Sequence, residues 1–160
     1  MKFHKIEKIV ASLQPKTVLD FGCGCASDSF ALASEASKHY VYDINSKCKE
    51  LVEYRISKYK NTNVEWIPLL DIRSKKFDLV VCIDVVEHLP QLDEFIEFVG
   101  EVTDTFLFTK AFGVHDQKKG GFPQHFDTDW EDVKKSLIAY GFHSIKVDMA
   151  FPPQLWSKVI

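Results

Sequence analysis

The sequence predicts an α/β fold: an open, mostly parallel sheet flanked by helices. Three observations predict it. Residues 17–33, TVLDFGCGCASDSFALA, read as a buried strand, a glycine turn and the start of a helix. Residues 39–43, HYVYD, form a second strand that closes on an acid roughly twenty residues past the first glycine. Residues 77–83, FDLVVCI, are a near-continuous apolar run, the pattern of a central parallel strand covered on both faces.

Length and composition bound the reading. One domain, residues 1–160, is expected of a chain of 160 residues. Apolar residues make up 46% and charged residues 27%, a balance that supports a packed core. The formal net charge of -3 gives no electrostatic case for binding nucleic acid. No apolar run is long enough to span a bilayer, so no membrane role is expected. The opening residues, MKFHKIEKIVASL, lack the continuous apolar core and cleavage site of a signal peptide. Cys23, Cys25, Cys48 and Cys82 follow neither a disulfide nor a zinc spacing. Reduced thiols without a targeting segment lead to the expectation of a cytoplasmic protein.

The elements follow in chain order. Phe3, Ile6, Ile9, Val10 and Leu13 recur at helical spacing, so residues 3–13 are expected to lie on the sheet as an amphipathic helix. After the first strand, Ser27 is expected to cap a helix that turns Phe30, Ala31 and Ala33 inward. Asn45 or Ser46 caps the next helix, whose inner face carries Cys48, Val52, Ile56 and Tyr59. Residues 64–70 read as a third strand, and Pro68 places it at or near a sheet edge. Asp71 follows at its end, with room for one turn at most before the fourth strand. Leu92, Phe95, Ile96 and Val99 mark a helix expected to stop at Gly100, and residues 102–109 a fifth strand. Residues 111–127 have no periodicity and suit a binding loop. Thr128 to Glu131 form a capping box for a helix with Trp130, Val133, Leu137 and Tyr140 on one face, ending at Gly141. Ile145, Val147 and Met149 alternate as in a strand, and residues 155–160 can return antiparallel.

The acids give the glycine turn its meaning. A dinucleotide brings a pyrophosphate to such a turn, held by the helix N-terminus. Asp20, just before the turn, would repel it. A cationic group, such as the ammonium or sulfonium of S-adenosylmethionine, suits that carboxylate better. The dinucleotide fingerprint also needs a glycine where this chain has Ser27. Asp43 stands at the spacing from which an acid on the second strand reaches a ribose.

With these residues in place, the chain resembles the class I S-adenosylmethionine-dependent methyltransferases, in the small-molecule branch that includes ubiquinone-biosynthesis O-methyltransferases. VLDFGCGCA resembles their glycine-rich first motif, with Ala26 where a third glycine is usual. Tyr42-Asp43 resembles the ribose-binding strand end, Asp71 the adenine-side acid, and FDLVVCIDVVEHLP the fourth-strand motif. The resemblance implies a Rossmann-like sheet of seven strands in the order 3-2-1-4-5-7-6, the last antiparallel. It implies that Asp20, Phe21, Gly22 and Gly24 line the methionine part of the cofactor and that Asp43 and Ile44 adjoin the ribose. Asp71 and Ile72 would hold the adenine, and Asp84 would face the reacting methyl.

Asp84, His88 and His125 are the candidate catalytic residues. Asp84, Glu87, His88 and His125 also offer the mixed oxygen and nitrogen donors with which small-RNA 3′-end methyltransferases hold a divalent metal. The alternative is that Glu87 and His88 make hydrogen bonds that start the next helix, and no metal is assigned. His4, His39, His115 and His143 read as surface or strand-flanking residues. The expected function is methyl transfer to a small-molecule acceptor at oxygen or nitrogen. The alternatives are a non-catalytic cofactor-binding subunit, a nicotinamide-dependent reductase, which Asp20 and Ser27 disfavour, and an RNA-end methyltransferase, which the lack of a basic surface disfavours.

Overall fold

The computed structural model describes residues 2–33, 37–60, 62–109, 126, 130–145 and 154–159. Its seven strands are β1 (Thr17–Phe21), β2 (Lys38–Tyr42), β3 (Val64–Trp66), β4 (Leu79–Ile83), β5 (Thr105–Thr109), β6 (His143–Ile145) and β7 (Gln154–Ser157). They form one sheet in the order β3-β2-β1-β4-β5-β7-β6. The strands from β1 to β5 pair in parallel, while β7 runs antiparallel to both β5 and β6. The expected fold and strand order are those observed.

From β1 the chain winds outward through β2 to β3, then returns to β1's other side with β4. The direction of winding reverses between β1 and β4. Ligands of open α/β sheets bind beyond the carboxyl ends of the strands at such a reversal. In the parallel register Phe21 stands beside Tyr42, and Ile83 beside Thr109, so the ends of β1, β2, β4 and β5 share one edge.

Both faces of the sheet are covered. Helix α1 (Lys2–Leu13) packs Ile6, Ile9 and Val10 on Val18, Leu79, Val81, Leu107 and Leu155. Val52 of α3 (Ser46–Tyr59) covers Val41 and Val64 together with Ala26, which precedes α2 (Ser27–Leu32). On the opposite face α5 (Leu92–Val102) and α6 (Trp130–Ala139) bring Ile96, Val99, Val133 and Leu137 onto Leu19, Val80, Cys82 and a stacked pair, Phe106 and Phe108, with ring centroids 4.9 Å apart.

Several local expectations are corrected. Gly100 does not stop α5, which continues to Val102. A methyl there would stand 3.1 Å from Lys158 Nζ, whose ammonium donates to the Gly100 carbonyl at 2.6 Å. This glycine makes room for a lysine rather than ending a helix. Residues 64–70 are not one strand: β3 ends at Trp66 and Pro68 precedes a single helical turn, α4 (Leu69–Ile72). Proline suits that entry because its missing N–H is not needed there. Ser27 is the first residue of α2, not its cap; Ala26 takes the flanking position with φ 55°. Ser29, not Ala31, is the buried residue of α2. Tyr59 is exposed. His39 is buried, 1% exposed, because strand alternation puts it on the same face as Val41. Both its ring nitrogens lack a hydrogen-bond partner among the described residues, and burial pushes its pKa down to about 4. The capping box from Thr128, the alternation beyond Ile145 and most of the 111–127 loop lie outside the described residues.

Candidate active site

The glycine turn is fastened to the strand beside it. The N–H groups of Gly22 and Cys23 both donate to the Tyr42 carbonyl, at 2.8 and 3.0 Å. The two glycines serve different ends. Gly22 has φ 74°, and a Cβ built there would lie 2.4 Å from Val85 Cγ2, so the residue after the β4 tip sits directly on the turn. Gly24 has φ 53°, and a Cβ there would meet nothing within 4 Å. Its side of the turn faces open space, as a ligand-binding backbone requires.

Asp43 holds this arrangement together. Gly24 N–H donates to its Oδ2 at 2.9 Å, and Asn45 N–H to its Oδ1 at 2.8 Å. Asn45 in turn caps α3, accepting from Lys47 N–H at 3.0 Å. One carboxylate therefore joins the turn to the helix that follows β2. Ile44, beside it, is 92% exposed.

Asp20 lies behind the turn rather than open to solvent. It is 6% exposed, and Ser29 Oγ donates to its Oδ2 at 2.7 Å. Burial pushes its pKa up to about 7, the Ser29 hydrogen bond opposes this, and Asp28 and Asp43 add to it. The same surroundings raise the Cys23 thiol far above its ordinary range: burial first, then Asp20 and Asp43. Phe21 turns its ring into packing, 5.1 Å from the rings of Tyr42 and Phe95, which leaves its backbone, not its side chain, at the turn.

At the β4 tip Asp84 is exposed and takes a left-handed backbone, φ 55°. Thr109, at the neighbouring β5 tip, meets it twice: its hydroxyl accepts from Asp84 N–H and donates to Asp84 Oδ1, both at 3.1 Å. Beyond it, Val86–His88 form a short 3-10 turn. Glu87 is 2% exposed while His88 is exposed, so the turn sends the two side chains to different surroundings. Among the described residues no group of three or more His, Cys, Asp or Glu is placed to hold a metal ion. His125 lies outside the described residues.

On the adenine side Asp71 is exposed on α4, but Ile72 is 0% exposed and belongs to the core. Each step along a helix rotates the side chain by about 100°, so Leu70 and Ile72, two steps apart, face nearly opposite ways: Ile72 is buried and Leu70 is 90% exposed. The expectation that the Ile72 side chain covers a ring is therefore corrected: Ile72 is buried in the core, while Ile44, Leu69 and Leu70 are exposed apolar side chains beyond β2 and β3. A groove of about 720 Å³ opens between the starts of α5 and α6, lined by Leu89, Pro90, Leu92, Phe126, Asp93 and Lys135 among others. Phe126 is tied there by its N–H, which donates to the Glu87 carbonyl at 2.8 Å.

Sequence reasoning missed Ser29, Leu70, Val85 and Thr109. Thr109 had a signal, a hydroxyl at the end of the apolar run TFLF. Leu70 had one too, an apolar residue directly before Asp71.

The site thus offers an open turn, one accessible carboxylate anchored by amides, a buried carboxyl that holds a proton near neutrality, and apolar side chains for a flat ring. These residues fit a cationic nucleoside better than a pyrophosphate, which would lie beside the Asp43 carboxylate that already accepts from the Gly24 amide. A family model described as a methyltransferase domain matches residues 19–104, from β1 through the end of α5. The chain belongs to the methyltransferase domain family. The expected class I S-adenosylmethionine-dependent methyltransferase is therefore supported in both family and fold.

The methyltransferase domain is 26% identical over 96 residues to the ubiquinone biosynthesis O-methyltransferase of Nitrosomonas europaea, a match that spans 56% of this chain and 40% of that protein. Its fold is similar to magnesium protoporphyrin IX methyltransferase of Synechocystis PCC 6803 with bound SAH: TM-score 0.74, 21% identity, 96% of this chain and 80% of the other. It is also similar to the N-terminal domain of EvdMO1 in the presence of SAH and D-fucose: TM-score 0.71, 14% identity, 98% of this chain and 81% of the other. No helix among the described residues of the methyltransferase domain is long and apolar enough to cross a membrane.

Proposed function

We propose that this chain, as a single domain over residues 1–160, transfers a methyl group from S-adenosylmethionine to an oxygen or nitrogen of a small-molecule acceptor in the cytoplasm. The observation that carries the reading is the placing of Asp43 and Asp84 just beyond the ends of β2 and β4, on either side of β1 and its turn, whose Gly24 faces open space and behind which Asp20 is buried. When bound, S-adenosylmethionine supplies a methyl group on a cationic sulfur. Gly24 and its neighbours would take the methionine part, and Asp43 would accept from ribose hydroxyls. Asp71 would accept from the adenine amino group, while Ile44 and Leu70 cover the ring. Asp20 would complement the ammonium, surrendering its proton as the cation arrives.

Much of such an enzyme's acceleration comes from holding acceptor and methyl in line, worth up to about 7–11 kcal/mol. The groove beside α5 and α6 is the proposed seat for the acceptor. Asp84, His88 and His125 are candidate bases, needed only where the acceptor must lose a proton. Two of the relatives' names, a ubiquinone biosynthesis O-methyltransferase and a magnesium protoporphyrin IX methyltransferase, support a small-molecule acceptor. The four free cysteines fit a reducing compartment.

The test has two stages. Calorimetry with S-adenosylhomocysteine should show one site per chain; no binding would refute the cofactor assignment. A screen of quinols, porphyrin acids and sugars with methyl-labelled donor should then find a labelled product, and labelling of RNA ends alone would overturn the small-molecule reading.

A further inference from the structure

The contact between Asp84 and Thr109 was not anticipated, and it joins two strand ends at the edge where the proposed cofactor binds. Asp84 adopts φ 55°, a region that non-glycine residues visit rarely, although aspartate is among the more tolerant. Such a conformation persists where its surroundings hold it. Here the Thr109 hydroxyl contributes to that hold. Thr109 Oγ1 accepts from the Asp84 amide and donates to the Asp84 carboxylate, each at 3.1 Å. Thr109 itself is 4% exposed, and parallel pairing sets it beside Ile83, the last residue of β4. On its other side Asp84 is followed by Val85, whose methyl group occupies the space a Gly22 side chain would need. Asp84 therefore stands between the glycine turn and the β5 tip, and Thr109 is its fastening on the second side.

We propose that Thr109 is a positioning residue, which fixes the Asp84 carboxylate at the reaction face so that the site favours the cationic methyl donor over the neutral-sulfur product. The inference rests on the cofactor reading above. Physically, Asp84 is exposed, and a hydrogen bond from the nearly buried Thr109 hydroxyl holds its carboxylate at the strand edge, where its negative charge attracts a sulfonium. The product has lost that positive charge. A fixed carboxylate at this place therefore assists release as well as binding.

The test compares wild type, Asp84→Asn, Thr109→Val and Thr109→Ser by calorimetry, each with S-adenosylmethionine and with S-adenosylhomocysteine. The readout is the ratio of the two affinities. Loss of one exposed carboxylate's attraction for the sulfonium should lower the ratio about fivefold in Asp84→Asn. Thr109→Val should follow it, while Thr109→Ser, which keeps the hydroxyl, should retain the wild-type ratio. A folding defect would move both affinities together and leave the ratio alone, and Thr109→Ala, less demanding on packing, carries the same expectation as Thr109→Val. An unchanged ratio in Thr109→Val and Thr109→Ala would overturn the inference. Wild type that fails to bind S-adenosylhomocysteine would overturn the cofactor reading and the inference with it.

Discussion

Replacing Gly22 with alanine places a methyl 2.4 Å from Val85 Cγ2 on a backbone held at φ 74°. Two costs combine. A side chain in the left-handed region costs roughly 1–2 kcal/mol, and forcing a methyl into packed surroundings typically costs about 1–3 kcal/mol. Gly22→Ala should therefore destabilise the fold by roughly 2–5 kcal/mol, a large share of a domain's usual 5–15 kcal/mol. Gly24→Ala shares only the first cost, since a Cβ there meets nothing within 4 Å. It should lose about 1–2 kcal/mol of stability and yet bind S-adenosylhomocysteine much more weakly, because the new methyl occupies the ligand's side of the turn. Urea unfolding gives the first quantity and calorimetry the second. Val85→Ala in the Gly22→Ala background removes the overlap, so the pair should couple favourably by about 1–3 kcal/mol. Equal destabilisation by the two glycine substitutions, or full ligand affinity in Gly24→Ala, would refute this division between packing and binding.

Three further outcomes follow from the same geometry. Asp43→Ala should weaken S-adenosylhomocysteine at least tenfold by calorimetry, since charge-assisted hydrogen bonds are worth about 1.5–3 kcal/mol each; unchanged affinity would remove Asp43 from the ribose site. His39, with its pKa lowered from 6.5 to about 4, is favoured neutral in the fold, so its contribution is full above pH 6.5 and about 3 kcal/mol is lost as pH falls to about 4. His39→Leu should abolish that loss in urea unfolding at a series of pH values. Asp20 acts in the opposite sense. With its pKa raised from 3.8 to about 7, the fold favours its protonated form, so stability is full below pH 3.8 and falls as pH rises to about 7. Asp20→Asn should flatten that slope, and a wild-type slope that survives in the variant would show that another group causes it.

The sheet was legible because its signals are local. Acid-terminated apolar runs mark the strands, and the early return after Asp71 leaves no room for a long crossover. The candidate site was legible at Gly22, Gly24, Asp43 and Asp84, where a strand end fixes the position of the residue. It was less legible where the side of an element decides. Asp20 shares its strand face with Val18, which put it against α2 and Ser29. The helical turn at Leu69–Ile72 buried Ile72 and exposed Leu70. His39 could have been placed from its alternation with Val41, but a histidine between lysine and tyrosine reads as surface. Thr109 needs its partner on another strand, and nothing in the chain's order brings the two together before the sheet forms.

Asp43 has a consequence for how quickly the site fills. Its two oxygens already grip amides on the turn and at the start of α3. An incoming nucleoside therefore meets a loop that is set before contact and needs only to share the carboxylate's remaining lone pairs. Little chain ordering should accompany capture, and association should run near the upper end of the range for small ligands. A slow, strongly temperature-dependent approach in stopped-flow fluorescence would mean that the turn must first let go.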